Sequence, residues 1–296
     1  MIPKKFDYYS PGSLQEAIQL LGENDEAKVL AGGQSLLPMM KLRLAAPTAL
    51  VDISKLAGLS YVRDEGDYLA IGALVTHDAV EHDATIEDGF TLINDAVTRI
   101  GDKQVRNLGT IGGSVCHADP AADLPVALLA ADARFVVEGK GGRRVAPARD
   151  FFVDFFATAV GHDEILTELQ VPYLPRWSGS AYVKHSLREA DFAVANVAAV
   201  VTMEEDGDRC REARIGLGSA GPTPLRAASA EQYLKGRPLD ETTIAEAAAM
   251  AIEGVNPPSD VHGSREYRLK MIKALTQRSL GLALGRTGLT GGATER

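Results

Sequence analysis

The sequence predicts an α+β protein in two parts, and three observations predict it. First, two aliphatic stretches, Val29–Leu36 (Val-Leu-Ala-Gly-Gly-Gln-Ser-Leu) and Thr110–Ser114 (Thr-Ile-Gly-Gly-Ser), each carry adjacent glycines followed closely by a hydroxyl residue. Second, Pro172-Tyr-Leu-Pro175 and the following Arg-Trp-Ser-Gly179 interrupt the pattern and mark a domain boundary. Third, strand-like runs precede helical ones after that break, the order of an α+β domain.

Taken in order, Ser13-Leu-Gln-Glu16 is a capping box that opens a helix with apolar Leu14, Ala17, Ile18 and Leu21 and closes at Gly22. Ala27–Ala31 reads as a buried strand, Leu36–Leu44 as a short helix with Pro38 in its first turn, and Leu50–Ile53 as another strand. These elements make a small α/β unit with the first glycine stretch inside it. Tyr68–Ala73 is a strand, and Thr76 caps a short helix through Val80. Ile86–Ile100 reads as one longer helix, Gly101–Gly109 as a polar irregular segment, and Thr110–Ser114 as a second glycine turn. Asp123 is placed to cap a helix over Leu124–Ala131. Ala133–Val137, Arg143–Ala146 and Glu164–Val171 read as strands. Beyond the break, Ser180–Leu187, Phe192–Met203 and Glu212–Gly218 read as three strands, and Leu225–Leu234, Thr242–Glu253 and Ser264–Leu284 as three helices. The residues after Gly285 read as a frayed tail.

Composition narrows the function. With 296 residues, 45% hydrophobic and 24% charged, the chain can bury a sizeable core. Its net charge of −9 argues against nucleic acid as a partner. Cys116 and Cys210 stand far apart and in no Cys-x-x-Cys pair, which fits a reducing compartment. An iron–sulfur cluster needs four thiolates, or two with two histidines, and this chain alone is not expected to hold one. The N-terminal residues do not resemble a signal peptide, and no apolar run is long enough to cross a membrane, so the expected location is cytoplasmic.

The glycine stretches carry the chemistry. Glycine tolerates φ > 0 and lets the backbone approach a ligand, and successive N–H groups in such a turn form an anion-binding nest. Two of them in one domain read as seats for an extended phosphate ligand such as a dinucleotide pyrophosphate, or more plainly as two tight turns. Gly216-Leu-Gly-Ser-Ala-Gly221 matches the dinucleotide pattern Gly-x-Gly-x-x-Gly, but Pro222 and Pro224 fall where its helix should run, so it reads as a structural turn. The six histidines form no metal-binding spacing, and no metal site is expected. Asp119 and Asp123 read either as helix-start residues favoured by the helix dipole or as acceptors for a ribose hydroxyl. Lys184, within a probable strand, reads either as a solvent-facing residue or as a ligand contact.

Together, Ala31–Leu44 and Thr110–Asp123 resemble the FAD-binding medium subunit of molybdenum hydroxylases, the family of aerobic carbon monoxide dehydrogenase and xanthine dehydrogenase. The likeness continues through Glu164–Pro172, Tyr182–Phe192 and Gly263–Arg268, so it covers nearly the whole chain. It implies a two-part FAD-binding domain of the vanillyl-alcohol-oxidase (PCMH) type over residues 1–175, with subdomains of about 1–56 and 57–175. A small α+β C-terminal domain then follows over 176–285, with a flexible tail over 286–296. The resemblance implies that Val29, Leu30, Ala31, Gly32, Gly33, Gln34, Ser35 and Leu36 wrap the FAD pyrophosphate. It adds Thr110, Gly113, Ser114, Asp119 and Asp123 as further FAD contacts, Ile100 as a flavin neighbour, and Leu166 and Lys184 as contacts flanking the boundary. No catalytic side chain is implied. The family pattern implies electrons arriving from [2Fe–2S] clusters of a small partner subunit and leaving to a quinone or another acceptor. A large partner holds molybdopterin, in a doubled heterotrimer that offers a route to membrane association. A carbon monoxide dehydrogenase-like complex is the first expectation. Gln34 stands where those enzymes often have histidine, which keeps xanthine, N-heterocycle and aldehyde dehydrogenases open. A nucleotide-binding module without redox turnover is the reading from another class.

Overall fold

A computed structural model describes residues 2–289. In chain order, the first elements are β1 (Asp7–Tyr9), α1 (Leu14–Glu23), β2 (Ala27–Leu30), α2 (Leu36–Leu42), β3 (Ala49–Asp52), β4 (Val62–Asp64), β5 (Tyr68–Gly72) and α3 (His77–Glu81). Then come α4 (Ala84–Gly89), α5 (Thr91–Val97), α6 (Lys103–Leu108), α7 (Ile111–His117) and α8 (Leu124–Ala130). They are followed by β6 (Arg134–Gly139), β7 (Gly142–Pro147), α9 (Ala148–Phe151), β8 (Phe152–Asp154), β9 (Ala157–Thr158) and β10 (Glu164–Pro172). The last are β11 (Ser178–His185), β12 (Ala195–Met203), β13 (Cys210–Gly218), β14 (Leu225–Arg226), α10 (Ala228–Leu234), α11 (Glu241–Met250) and α12 (Arg265–Gly285). The chain is α+β, as predicted. It forms two compact units interleaved in sequence: one contains residues up to Val80, Asp102–Ala118 and Ala133–Val171, the other Glu81–Gly101, Asp119–Asp132 and the chain from Pro172 on.

The first unit begins with a parallel sheet in the order β1-β3-β2. Every residue of the central β3 is buried, which is why it reads as an unbroken apolar run rather than an alternating one. Ala17, Ile18 and Leu21 of α1 pack against Ala49 and Val51. The capping box is displaced by one residue: Ser13 Oγ accepts from Glu16 N, while Glu16 Oε2 accepts from Gly12 N at 2.7 Å. A second sheet runs β4-β5-β10-β6-β7. In its middle, β10 is buried from Ile165 to Val171, and Arg144 grips Glu164 through two nitrogens.

In the second unit four antiparallel strands run β11-β12-β13-β14, one more than predicted. All nine residues of β12 are buried. Ala195, Val197, Ala199, Val201 and Met203 join the core with Ile272, Leu280 and Ala283 of α12. Because side chains alternate along a strand, Asn196 and Ala198 face the other way, where α8 packs.

Two local readings change and a third holds. The helix expected over Ile86–Ile100 is two helices, because the chain turns at Phe90, whose φ of −127° and ψ of 50° close α4 and open α5. The segment expected to be irregular contains α6, started by the Asp102 carboxylate accepting from Val105 N at 2.9 Å. Its only buried residue is Arg106, so no apolar stripe announced it. The Gly-x-Gly-x-x-Gly stretch is the structural turn that was expected: it ends β13 and leads into β14, with α10 starting only at Ala228. At the end of the described chain, Arg286 donates to Asp95 at 2.5 Å and to Ser180 O at 2.8 Å. Of the tail expected over 286–296, residues 290–296 lie outside the described residues. Among the described residues, no helix is long and apolar enough to cross a membrane.

Candidate cofactor site

The first glycine stretch turns from β2 into α2. Gly33 has φ +72°, so it uses the left-handed region that glycine opens. Gly32 is needed for space: a Cβ there would sit 2.0 Å from the Leu108 carbonyl oxygen. Gln34 closes the loop by donating to Gly32 O at 3.2 Å. Ser35 occupies the N-cap position of α2, but its hydroxyl caps no amide. Among the described residues, the backbone N–H groups of Gly32, Gly33, Gln34 and Ser35 have no hydrogen-bond acceptor. Such a run of open amides at a helix start attracts an anion. Val29 and Leu30 close β2 ahead of it, and Leu36 opens α2 behind it.

The second stretch lies beside the first but is built differently. It is the first turn of α7, not a free glycine turn. Thr110 is its N-cap, accepting from Gly113 N at 3.1 Å. Ile111 N donates to Val75 O, Gly112 N to Ala73 O, and Ser114 N to Thr110 O. Neither Gly112 nor Gly113 has positive φ. Gly112 is required for packing, since a Cβ would lie 2.5 Å from that of Ala73. These amides are spent inside the protein, one of them on the Thr110 hydroxyl oxygen, so the second stretch carries side-chain hydroxyls at Thr110 and Ser114 rather than a run of open N–H groups. A Cβ on Gly113 would lie 3.9 Å from Ala31, which places this turn against the first.

In the second unit, Asp123 and Lys184 come together. Lys184 Nζ lies 3.1 Å from each Asp123 carboxylate oxygen and donates to Arg99 O at 3.0 Å. Tyr182 OH donates to Asp123 Oδ1 at 2.5 Å, and Asn196 Nδ2 donates to that hydroxyl at 2.8 Å. Asp123 occupies the N-cap position of α8, yet its side chain caps no amide. It is held by these partners instead, which corrects the expected capping role. Burial pushes its carboxyl up to about 6, against the pull of Lys184 and Tyr182. The residues before it are pinned: Pro120 O accepts from Ser219 N, Ala121 O from Ala193 N, and Ala122 O from Asn196 Nδ2. Lys184 is buried with its partner, so its strand position does not face solvent. Asp119 shapes the turn by accepting from Ala121 N at 2.8 Å. Ile100 follows α5 in the same unit and is half-buried, whereas Leu166 is buried on β10 of the first unit. Sequence reasoning missed Tyr182 and Asn196. The signal for Tyr182 was available, because it lies two residues before Lys184 and so on the same strand face. Asn196 carried no such signal within its apolar run.

An open amide turn ahead of a helix suits an anionic group. Comparison with known proteins says which. Residues 4–174 match the family model for the FAD binding domain in molybdopterin dehydrogenase, and residues 180–283 match the CO dehydrogenase flavoprotein C-terminal domain. The chain is 39% identical to the 6-hydroxypseudooxynicotine dehydrogenase complex subunit alpha of Paenarthrobacter nicotinovorans, over 97% of each chain. It is 37% identical to the carbon monoxide dehydrogenase medium chain of Hydrogenophaga pseudoflava, over 97% of this chain and 99% of that one. A solved carbon monoxide dehydrogenase from Hydrogenophaga pseudoflava, lacking the Mo-pyranopterin moiety of its molybdenum cofactor, superposes with a TM-score of 0.93 at 39% identity, covering 97% and 99% of the two chains. The chain belongs to the FAD-binding medium subunits of the molybdenum-dependent dehydrogenases, which are oxidoreductases.

Proposed function

We propose that this chain binds FAD as the electron-transfer subunit of a molybdenum hydroxylase. It takes electrons from [2Fe–2S] clusters on a small partner and passes them to a quinone or another acceptor. The observation that carries the reading is the set of open amides from Gly32 to Ser35, which fits a pyrophosphate. Val29–Leu36 hold the pyrophosphate through backbone N–H groups, and the Thr110 and Ser114 hydroxyls add donors, with Gly113 allowing close approach. Asp123 accepts from a ribose hydroxyl. Asp119, Ile100, Leu166 and Lys184 complete the proposed contacts. FAD supplies a redox couple when bound; the protein supplies binding, orientation and electrostatics. No side chain of this chain acts as acid, base or nucleophile.

Residues 1–175 and 176–285 are the proposed modules, and the cytoplasm is the proposed location. Molybdopterin belongs to a large partner, in a dimer of heterotrimers. Carbon monoxide is the proposed substrate of the complex. The 39% identity to a 6-hydroxypseudooxynicotine dehydrogenase subunit favours an N-heterocycle-related substrate as the second reading. The test is an absorption spectrum of the purified chain before and after FAD and then dithionite. Flavin bands that bleach support the reading. Failure to take up FAD, alone and with co-expressed partners, overturns it. Turnover of carbon monoxide or an N-heterocycle by the assembled complex separates the two substrates.

A further inference from the structure

The Gly-x-Gly-x-x-Gly stretch has no phosphate role in the reading above, and its place in the sheet gives it another. Lys184 of β11 pairs with Asn196 of β12, and Asn196 pairs with Gly218 of β13, so the three stand in one row across the sheet. Tyr182 and Gly216 both pair with Ala198, one step along and on the same face. A Cβ on Gly218 would lie 2.0 Å from Asn196 Oδ1 and 2.5 Å from Val126 of α8. A Cβ on Gly216 would lie 2.6 Å from Val126 O. The two glycines therefore make a notch in β13 that admits the first turns of α8 and the Asn196 side chain together. From that notch Asn196 reaches two targets, the Tyr182 hydroxyl at 2.8 Å and Ala122 O at 3.0 Å. The first orients the donor to Asp123, and the second holds the backbone next to it. Asn196 is fully buried, so water does not compete for these bonds.

We propose that Tyr182 and Asn196, seated by the Gly216–Gly218 notch, are positioning residues that hold the Asp123 carboxylate ionised and aimed for the cofactor. This rests on Asp123 being an FAD ligand. The charged and titratable groups facing Asp123 are Lys184 and Tyr182 of β11 and Arg99 after α5. Asp95 of α5 is engaged with Tyr182 N and Arg286. On the other strands packed on α8, Arg214 and Arg226 pair with Asp132 beyond its far end.

The test is titration of the full chain with FAD, followed by flavin fluorescence between about pH 5 and 8.5, for wild type, Tyr182→Phe, Asp123→Asn and the double variant. Losing a hydrogen bond to a charged group weakens FAD binding by roughly tenfold or more in Tyr182→Phe. The pH midpoint of affinity moves upward in that variant, because the carboxylate loses a donor. Asp123→Asn weakens binding and loses the pH dependence, and adding Tyr182→Phe to it then changes little. Asn196→Ser repeats the upward shift if Tyr182→Phe does not fold. Tyr182→Phe binding FAD like wild type while Asp123→Asn is weakened overturns the positioning role and leaves the ligand reading intact. An equal loss in both backgrounds with no pH shift also overturns it, as a general packing effect. Asp123→Asn binding like wild type overturns the ligand reading and the inference with it.

Discussion

Lys184 and Asp123 form a buried pair in which the ammonium reaches both carboxylate oxygens at 3.1 Å, with 6% of each side chain exposed. Neither residue does what its local sequence suggests: the aspartate leaves the helix start uncapped, and the lysine turns inward.

Removing one partner tests how far each depends on the other. Lys184→Met leaves Asp123 buried with Tyr182 as its remaining side-chain hydrogen-bond donor. Breaking a buried pair from one side costs about 3–5 kcal/mol. Denaturant unfolding at pH 7.5 is expected to show that loss. Adding Asp123→Asn to the same protein is expected to return part of it, because no uncompensated charge then remains. Equal stabilities of the single and double variants contradict this account.

The pH dependence of stability carries two opposed contributions. The Asp123 carboxyl is raised to about 6 in the fold by burial, so between its ordinary value of 3.8 and about 6 the folded state binds the extra proton. Its contribution to stability therefore grows as pH falls through that window and is complete below it. His77 behaves oppositely. Burial, with the Arg106 charge behind it, lowers its pKa from 6.5 to about 4, so stability is lost as pH falls from about 6.5 to 4. Asp123→Asn is expected to make the protein lose stability more steeply on acidification than wild type, and His77→Gln less steeply. Chemical denaturation at half-unit steps from pH 4 to 7.5 reads both slopes.

The two glycines of the first stretch are expected to differ in kind. Gly33→Ala strains a left-handed backbone and costs about 1–2 kcal/mol, while the Leu37 methyl 2.9 Å from its new Cβ can move. Gly32→Ala drives a Cβ into the Leu108 carbonyl, and a backbone atom yields less than a methyl. Thermal melting is expected to rank Gly32→Ala well below Gly33→Ala, and FAD content to follow.

Thr110 is a helix cap before it is anything else. Thr110→Ala removes the acceptor for Gly113 N and is expected to cost about 1 kcal/mol. Thr110→Ser keeps the hydroxyl and is expected to melt within a degree or two of wild type. FAD affinity that also falls only in the alanine variant supports the hydroxyl as a ligand donor.

Local chemistry is legible wherever neighbours in the chain decide it. Ser13 and Glu16 announce α1, the apolar run of β3 announces a buried parallel strand, and Gly33 announces a left-handed turn before α2. The motif wording of Ala31–Leu44 and Thr110–Asp123 identifies the family, because such long ordered patterns are specific. What the tertiary structure alone decided is which polar group meets which. Two glycine stretches that read alike differ because Ala73 and Val75 carbonyls take the amides of the second and nothing described takes those of the first. Asp123 caps no helix because Tyr182 and Lys184, far along the chain, reach it first. Hydrogen bonds and ion pairs are short-ranged and satisfy whichever group the packed sheet brings within about 3 Å. Their partners are therefore a property of the assembled layers, and the order of residues cannot state them.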